Sequence, residues 1–162
     1  EGMLALIQNP AQRALLAEAP GKIPTAVEEL LRWVSPIKNM NRTATRDTEL
    51  RGEKVREGDR LLLLYPSGNR DEAVYEDPDV LDVERSPNPH VAFGGYGTHH
   101  CLGASLARLE LRILFEELVS RLPDIELATE DPLPHRASNF ITGIEAMPVR
   151  FSPSKPISGQ AG

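Results

Sequence analysis

The sequence predicts an α+β fold, mainly helical, with a small β-sheet and a long meander able to wrap a bound group. Three observations predict it. Two segments near the start carry helix-opening signals followed by apolar residues at helical spacing. The strongest helical periodicity runs from Cys101 to Leu122. Between Pro66 and His100 no period of 2 or 3.6 is sustained.

Asn9-Pro10-Ala11-Gln12 reads as a helix start. Asn9 can cap, Pro10 suits the first helical position and Gln12 can reach back. Pro20-Gly21 should end that helix. Thr25-Ala26-Val27-Glu28 reads as a second capping box behind Pro24, and Val27, Leu30, Leu31 and Val34 follow as an apolar stripe. Pro36 should stop this helix near Ser35. Residues 42–66 read as strands. Thr43, Thr45 and Thr48 favour extended backbone, and Arg51-Gly52 and Glu57-Gly58-Asp59 signal turns. The apolar run from Arg60 to Tyr65 is expected to be a strand buried on both faces.

The next stretch is broken by Pro66, Pro78, Pro87 and Pro89 and by Gly68, Gly94, Gly95 and Gly97. An irregular segment of this length in a compact domain needs a job, and wrapping a cofactor is one. In the long helix that follows, Leu102, Leu106, Leu109, Ile113 and Leu114 lie close to one face, continued by Leu118 and Leu122. Pro123 stops it. Short strands are expected around residues 125–127 and 149–151. The tail from Ser154 is polar and rich in Gly and Pro, so residues 1–153 are read as the folded part and 154–162 as a flexible tail.

The bulk numbers exclude several classes. With 40% hydrophobic and 26% charged residues, the 162-residue chain is ordinary for a globular domain. A net charge of -6 argues against a general nucleic-acid binder. No apolar run approaches the roughly 20 residues that span a bilayer, and no basic-then-apolar signal opens the chain. A single cysteine forbids an internal disulfide and suits a reducing compartment, so a cytoplasmic location without membrane attachment is expected. Glu1-Gly2-Met3 runs straight into a helix-like pattern, so the chain is expected to be a processed product or a fragment of a larger domain.

The chemically informative segment is Phe93-Gly94-Gly95-Tyr96-Gly97-Thr98-His99-His100-Cys101-Leu102-Gly103. A Gly-rich loop delivers a cysteine to the start of a long helix. Helix N-termini carry unpaired N–H groups and partial positive charge, which favour a thiolate. Glycines let backbone approach a flat ligand closely. The plainer reading is a buried core thiol with the glycines as a turn. A zinc site would need a second ligand pair beside His99-His100-Cys101, and none exists at finger spacing. A dinucleotide loop would need a strand just before Gly95 and a third glycine where His100 stands.

Three blocks in order decide between these readings. The Phe93–Gly103 loop resembles the cysteine-ligand loop of the cytochrome P450 superfamily. Glu29-Leu30-Leu31-Arg32 resembles its Glu-x-x-Arg signature, and Pro87-Asn88-Pro89-His90, after Asp82–Arg85, resembles the meander that leads into the loop. The likeness runs to about Pro153 and is to soluble actinobacterial-type members. In one respect the sequence departs from that pattern. The family form has seven steps from loop Phe to Cys, whereas Phe93 lies eight steps before Cys101, one residue being inserted near Gly94-Gly95.

The resemblance implies the C-terminal part of a haem-thiolate monooxygenase fold. The cofactor would be haem b (iron protoporphyrin IX), with Cys101 as axial iron ligand. Phe93, Gly95, Gly97 and Gly103 would shape its proximal side. Arg42 and His99 would meet haem propionates, where a guanidinium suits a carboxylate. Glu29, Arg32 and Arg85 would form a buried network, the alternative being a modest surface pair. Ile37, Met40, Phe140 and Ile141 would line a pocket for a small apolar substrate. Residues 139–148 resemble members that oxidise steroids or fatty chains. The expected activity is insertion of one oxygen atom from O2 into a C–H bond. Electrons would come from a ferredoxin-type partner docking near His100, Arg108 and Arg112, although Arg112 can equally pair with Glu116 at i+4. The family's oxygen-activating acid–alcohol pair lies on a helix whose tail Met3–Ile7 resembles, so no catalytic residue is assigned within this chain. The competing expectation is a non-catalytic truncated fragment that binds no haem.

Overall fold

The computed structural model describes residues 1–95 and 97–153. Tyr96 and the expected tail, 154–162, lie outside the described residues.

Two short helices open the chain, α1 (Gly2–Gln8) and α2 (Pro10–Glu18). Pro10 opens α2 as expected, but Asn9 does not cap it. Its amide Nδ2 turns back and donates to the Ala5 carbonyl at 2.8 Å, closing the end of α1 instead. Gln12 does not reach back either. Its Oε1 accepts the Val83 N–H at 2.8 Å, because a buried backbone donor in the meander offers a better partner than the helix end.

A single 3₁₀ turn at Pro20–Lys22 leads into α3 (Ile23–Val34). This helix starts two residues before the expected capping box, so Thr25 lies inside its first turn. Glu28, read as the other half of that box, is drawn to His90 and Arg108. Val27, Leu30 and Leu31 of the predicted stripe are buried, with Ala26 beside them, whereas Val34 at the helix end is only half-buried. Ser35 ends the helix in the left-handed region at φ 45°, just before Pro36.

The sheet consists of small antiparallel pairs. Strand β1 (Asn39–Thr43) pairs with β4 (Arg60–Leu64), Asn39 opposite Leu64 and Thr43 opposite Arg60. Between them β2 (Thr48–Leu50) and β3 (Glu53–Val55) form a hairpin. Arg51 and Gly52 turn it with φ of 49° and 87°, the paired positive values that a two-residue hairpin turn of the favoured hand needs. The expectation of a doubly buried β4 is overturned. Leu62 and Leu64 are 54% and 53% exposed, because β1 is the only strand beside β4 among the described residues and no layer covers its faces.

After the one-turn helix α4 (Tyr65–Gly68) the described residues up to Gly103 form no helix or strand, as the broken periodicity predicted. The last helix, α5 (Ala104–Arg121), starts three residues after Cys101 with Gly103 at its N-cap. Strands β5 (Glu126–Leu127) and β6 (Val149–Arg150) pair antiparallel behind it.

The core gathers α1, α2, α3 and α5 around Leu6, Leu16, Ile23, Val27, Val83, Phe115 and Val119. Gly2 lets α1 approach α5 closely, since a β-carbon there would lie 2.9 Å from the Phe115 ring. The buried side of α5 is Ala104, Phe115 and Val119, not the face read from the sequence. Leu106, Leu109, Ile113 and Leu114 are all exposed. This helix is apolar over most of its circumference, and the neighbouring helices cover one side of it. No helix among the described residues is long and apolar enough to cross a membrane.

Candidate functional site

Cys101 is a free, exposed thiol at the end of the Gly-rich loop, two residues ahead of the α5 N-cap. The loop folds back on itself through short-range bonds. Gly94 N–H donates to the Val91 carbonyl at 2.8 Å and His100 N–H to the Gly97 carbonyl at 3.1 Å. Cys101 N–H donates to the Phe93 carbonyl at 3.1 Å, and the Cys101 carbonyl accepts from Ala104 at 3.2 Å. Gly94 and Gly97 hold φ of 85° and 133°, values that a side chain would make costly. Phe93 and Cys101, eight steps apart in the chain, are thus bonded to each other.

Phe93 is half-buried and packs against the core. The Arg108 guanidinium sits over its ring at 4.7 Å, and the His90 and His100 rings lie 6.0 and 6.5 Å from it. Arg108 is held there by Glu28, through bonds of 2.7 and 2.9 Å. His90 Nε2 lies 2.9 Å from the same carboxylate. Partial burial pushes the Glu28 carboxyl up, but the hydrogen bonds from His90 and Arg108 outweigh it and hold the group down at about 2. The same pairing raises the Arg108 guanidinium above its ordinary value.

Behind the loop lies a buried polar knot. Arg32 forks onto Glu29, with Nε to Oε2 and Nη2 to Oε1 both at 2.8 Å. Its Nη1 donates to the Asn69 and Pro78 carbonyls, each at 2.8 Å. Arg85 reaches Glu29 from the meander at 3.3 Å and donates to the Glu76 carbonyl at 2.7 Å. Glu29 also accepts the Asp82 N–H at 3.0 Å and Asn88 Nδ2 at 2.9 Å. One carboxylate thus holds donors from α3 and from three points of a segment with little regular structure of its own.

Arg42 is exposed on β1 and donates to the neighbouring Asn41 carbonyl at 2.9 Å. His99 is exposed in the loop. No hydrogen bond joins either to the other among the described residues, and both side chains are open to solvent. Ile37 and Ile141 form an isolated antiparallel bridge, and Lys38 N–H donates to the Phe140 carbonyl at 2.8 Å. The two expected pocket segments therefore meet, and Met40, Phe140 and Ile141 present an exposed apolar edge. Arg112 lies 3.5 Å from Glu116. The apolar cleft of 370 Å³ between α1, α3 and α5 includes none of the Cys101 loop.

The cytochrome P450 family model matches residues 23–144, three quarters of the chain and all of the site just described. The chain belongs to the cytochrome P450 family. It is 53% identical over 156 residues to a steroid C26-monooxygenase of Mycolicibacterium smegmatis, covering 96% of this chain and 39% of that protein. It is 50% identical over 152 residues to a methyl-branched lipid omega-hydroxylase of Mycobacterium tuberculosis, covering 93% and 35%. Among solved structures it superposes on Mycobacterium marinum cytochrome P450 CYP268A2 in complex with pseudoionone. The TM-score is 0.87 at 47% identity, covering 93% of this chain and 36% of that one. P450BioI in complex with an acyl carrier protein bearing hexadec-9Z-enoic acid matches with a TM-score of 0.88 at 42% identity, covering 93% and 39%. The chain spans about two fifths of the length of the curated relatives it matches.

The P450 family implies a haem, and the residues present fit such a group. Cys101 is exposed, Leu102 beside it is fully exposed, and Arg42 and His99 are exposed donors that suit carboxylates. An open thiol flanked by uncovered apolar surface fits a flat, apolar, iron-bearing group. Sequence reasoning missed several supports of this P450 site. Asn69 is fully buried, with Nδ2 donating to Ser35 Oγ at 2.7 Å and Oδ1 accepting the Val91 N–H at 2.8 Å. It ties the end of α3 to the segment entering the Cys101 loop. No local signal marks it, since Gly68-Asn69-Arg70-Asp71 reads as an ordinary turn. Asn88 stood in a block already singled out, but its bond to Glu29 needs the fold to be seen. Glu28 was assigned to a capping box and Arg108 to docking, and the fold pairs them.

Proposed function

We propose that these residues form the haem-binding portion of a haem-thiolate monooxygenase. The observation that carries the reading is the exposed thiol of Cys101. It is presented by a loop bent at Gly94 and Gly97 and bonded through its N–H to Phe93. Cys101 would ligate the iron of haem b, Arg42 and His99 would hold the propionates, and Gly95, Gly97 and Gly103 would leave room for the ring. Bound there, the haem would supply dioxygen activation, delivering one oxygen atom of O2 into a C–H bond.

The chain's own residues would do three things. The Glu29–Arg32–Arg85 knot would fix the meander under the loop. Ile37, Met40, Phe140 and Ile141 would form part of a water-poor wall for a small apolar substrate. A steroid or branched fatty chain suits that wall, and the relatives named for steroid C26 and methyl-branched lipid oxidation support the class. His100 and Arg112 would present the docking side for a ferredoxin-type electron donor, Arg108 being committed to Glu28. A cytoplasmic location accords with this reading.

One observation favours a second reading, a non-catalytic fragment. Leu106, Leu109, Ile113 and Leu114 on α5 and Leu62 and Leu64 on β4 are uncovered, and exposed apolar faces of this size oppose independent stability. Spectroscopy separates the two. Reconstituted with haem, reduced and exposed to carbon monoxide, the protein is expected to show the red-shifted band of a thiolate–carbonyl complex. Absence of haem uptake by these residues would leave the fragment reading standing.

A further inference from the structure

The Glu28 carboxylate joins three parts of the molecule that meet nowhere else in this way. From α3 it accepts Arg108 of α5 through two bonds of 2.7 and 2.9 Å, and it lies 2.9 Å from His90 of the meander. The His90 side chain is only 3% exposed. This cluster does not touch Cys101. It touches Phe93, whose ring has the Arg108 guanidinium 4.7 Å above it and the His90 ring 6.0 Å away. The Phe93 carbonyl in turn accepts the Cys101 N–H at 3.1 Å.

The loop from Phe93 to Cys101 is glycine-rich, and glycines offer no side chain by which a loop can be fixed. Its two ends must be held from outside. The α5 helix holds the Cys101 end, through Ala104 N–H on the Cys101 carbonyl at 3.2 Å. At the other end Phe93 is packed against the core. A guanidinium locked in a two-point bond to a carboxylate and laid on an aromatic face is a rigid anchor, since both its plane and its distance are set. We propose that Glu28 and Arg108 are positioning residues for Cys101, acting through Phe93. The pair clamps the Phe93 ring and so fixes the carbonyl that orients the cysteine. The inference rests on the haem-thiolate reading for the importance of Cys101, but the clamp itself is a property of these side chains.

The test uses the full-length haem-loaded protein with two variants, Glu28→Gln and Arg108→Lys. The first removes the charge at constant size; the second keeps the charge but loses the planar fork. Two quantities are read: hydrogen exchange at individual amides, and the fraction of loaded haem that gives the thiolate–carbonyl band. Exchange at the Cys101 amide is expected to rise about tenfold in both variants, the loss expected for a weakened charge-assisted anchor. The thiolate fraction should fall with it, while the Leu30 and Leu31 amides of α3 keep their protection. Unchanged Cys101 exchange and an unchanged band in both variants would overturn the proposal. So would an equal loss of protection across α3 and α5, which would make the pair a general scaffold. If the parent protein itself gives no thiolate band, the haem-thiolate reading fails, and the exchange comparison still judges the clamp.

Discussion

Arg32 meets Glu29 through two parallel hydrogen bonds of 2.8 Å, and neither side chain is exposed to solvent. A pair this deep is tolerable only because its remaining donors and lone pairs are used, by Asn69, Pro78, Asp82, Arg85 and Asn88. Removing one member strands the other. Glu29→Ala is therefore expected to cost about 3–5 kcal/mol and to abolish stable haem incorporation. Melting temperature and haem content check it, and parental values in both would refute a structural role for the knot. Asn88→Ala removes one neutral donor and should cost about 1–2 kcal/mol.

Cys101 is the only cysteine of these 162 residues. Cys101→Ala is expected to eliminate the thiolate–carbonyl band in the full-length protein. Because the side chain is exposed and outside α5, the melting temperature of the haem-free chain should change little. Persistence of the band would show that another group ligates the iron.

The Glu28 carboxyl is held at about 2, below its ordinary 4.5. A carboxyl depressed by folding stabilises the fold fully above its unfolded value, and that contribution is lost as pH falls through the folded value. The stabilisation from Glu28 is thus complete at neutral pH and drains away between about 4.5 and 2. It is worth about 1–2 kcal/mol once solvent screening of this partly exposed group is allowed for. The gap in melting temperature between the parent and Glu28→Gln should be constant above pH 5 or so and narrow on acidification. A gap that widens toward low pH contradicts the assignment.

Among the described residues Arg112 pairs with its i+4 neighbour Glu116, at 3.5 Å on the surface of α5. Its charge is available to steer an acidic partner toward the Cys101 side. In the full-length protein Arg112→Glu is expected to slow ferredoxin-driven reduction severalfold at low salt and less at high salt. Haem content and reduction by dithionite should stay as they were. Stopped-flow rates across ionic strength give the answer, and equal rates at low salt would move the docking surface elsewhere.

The two sides of α5 should respond oppositely to substitution in the isolated chain. Phe115 is buried against α1 and α3, and Phe115→Ala is expected to cost about 3–5 kcal/mol. Leu109 and Ile113 are exposed, and Leu109→Glu or Ile113→Glu should stay within about 0.5 kcal/mol while reducing binding of a hydrophobic dye. Thermal unfolding and dye fluorescence measure both. In the full-length protein the same charged substitutions should destabilise, if that face is covered there.

The sequence by itself determined the elements whose cause is local. Pro10 and Pro36 set a start and a stop, Arg51-Gly52 set a hairpin, and repeated Pro and Gly kept the meander at residues 69–92 irregular. It also pointed to the family, because three ordered blocks carry the resemblance without any packing. What it could not determine was which side of an apolar helix is covered. Leu106, Leu109, Ile113 and Leu114 have the spacing of a core face, but burial depends on a neighbour being present, and spacing carries no such information. The same holds for Arg60–Leu64, a strand of core composition that lies open. Partners of long polar side chains were equally out of reach. Gln12, Glu28, Asn69 and Asn88 bond to groups 22 to 80 positions away in the chain. Only the fold brings those groups within 3 Å, and hydrogen bonds act over no greater range.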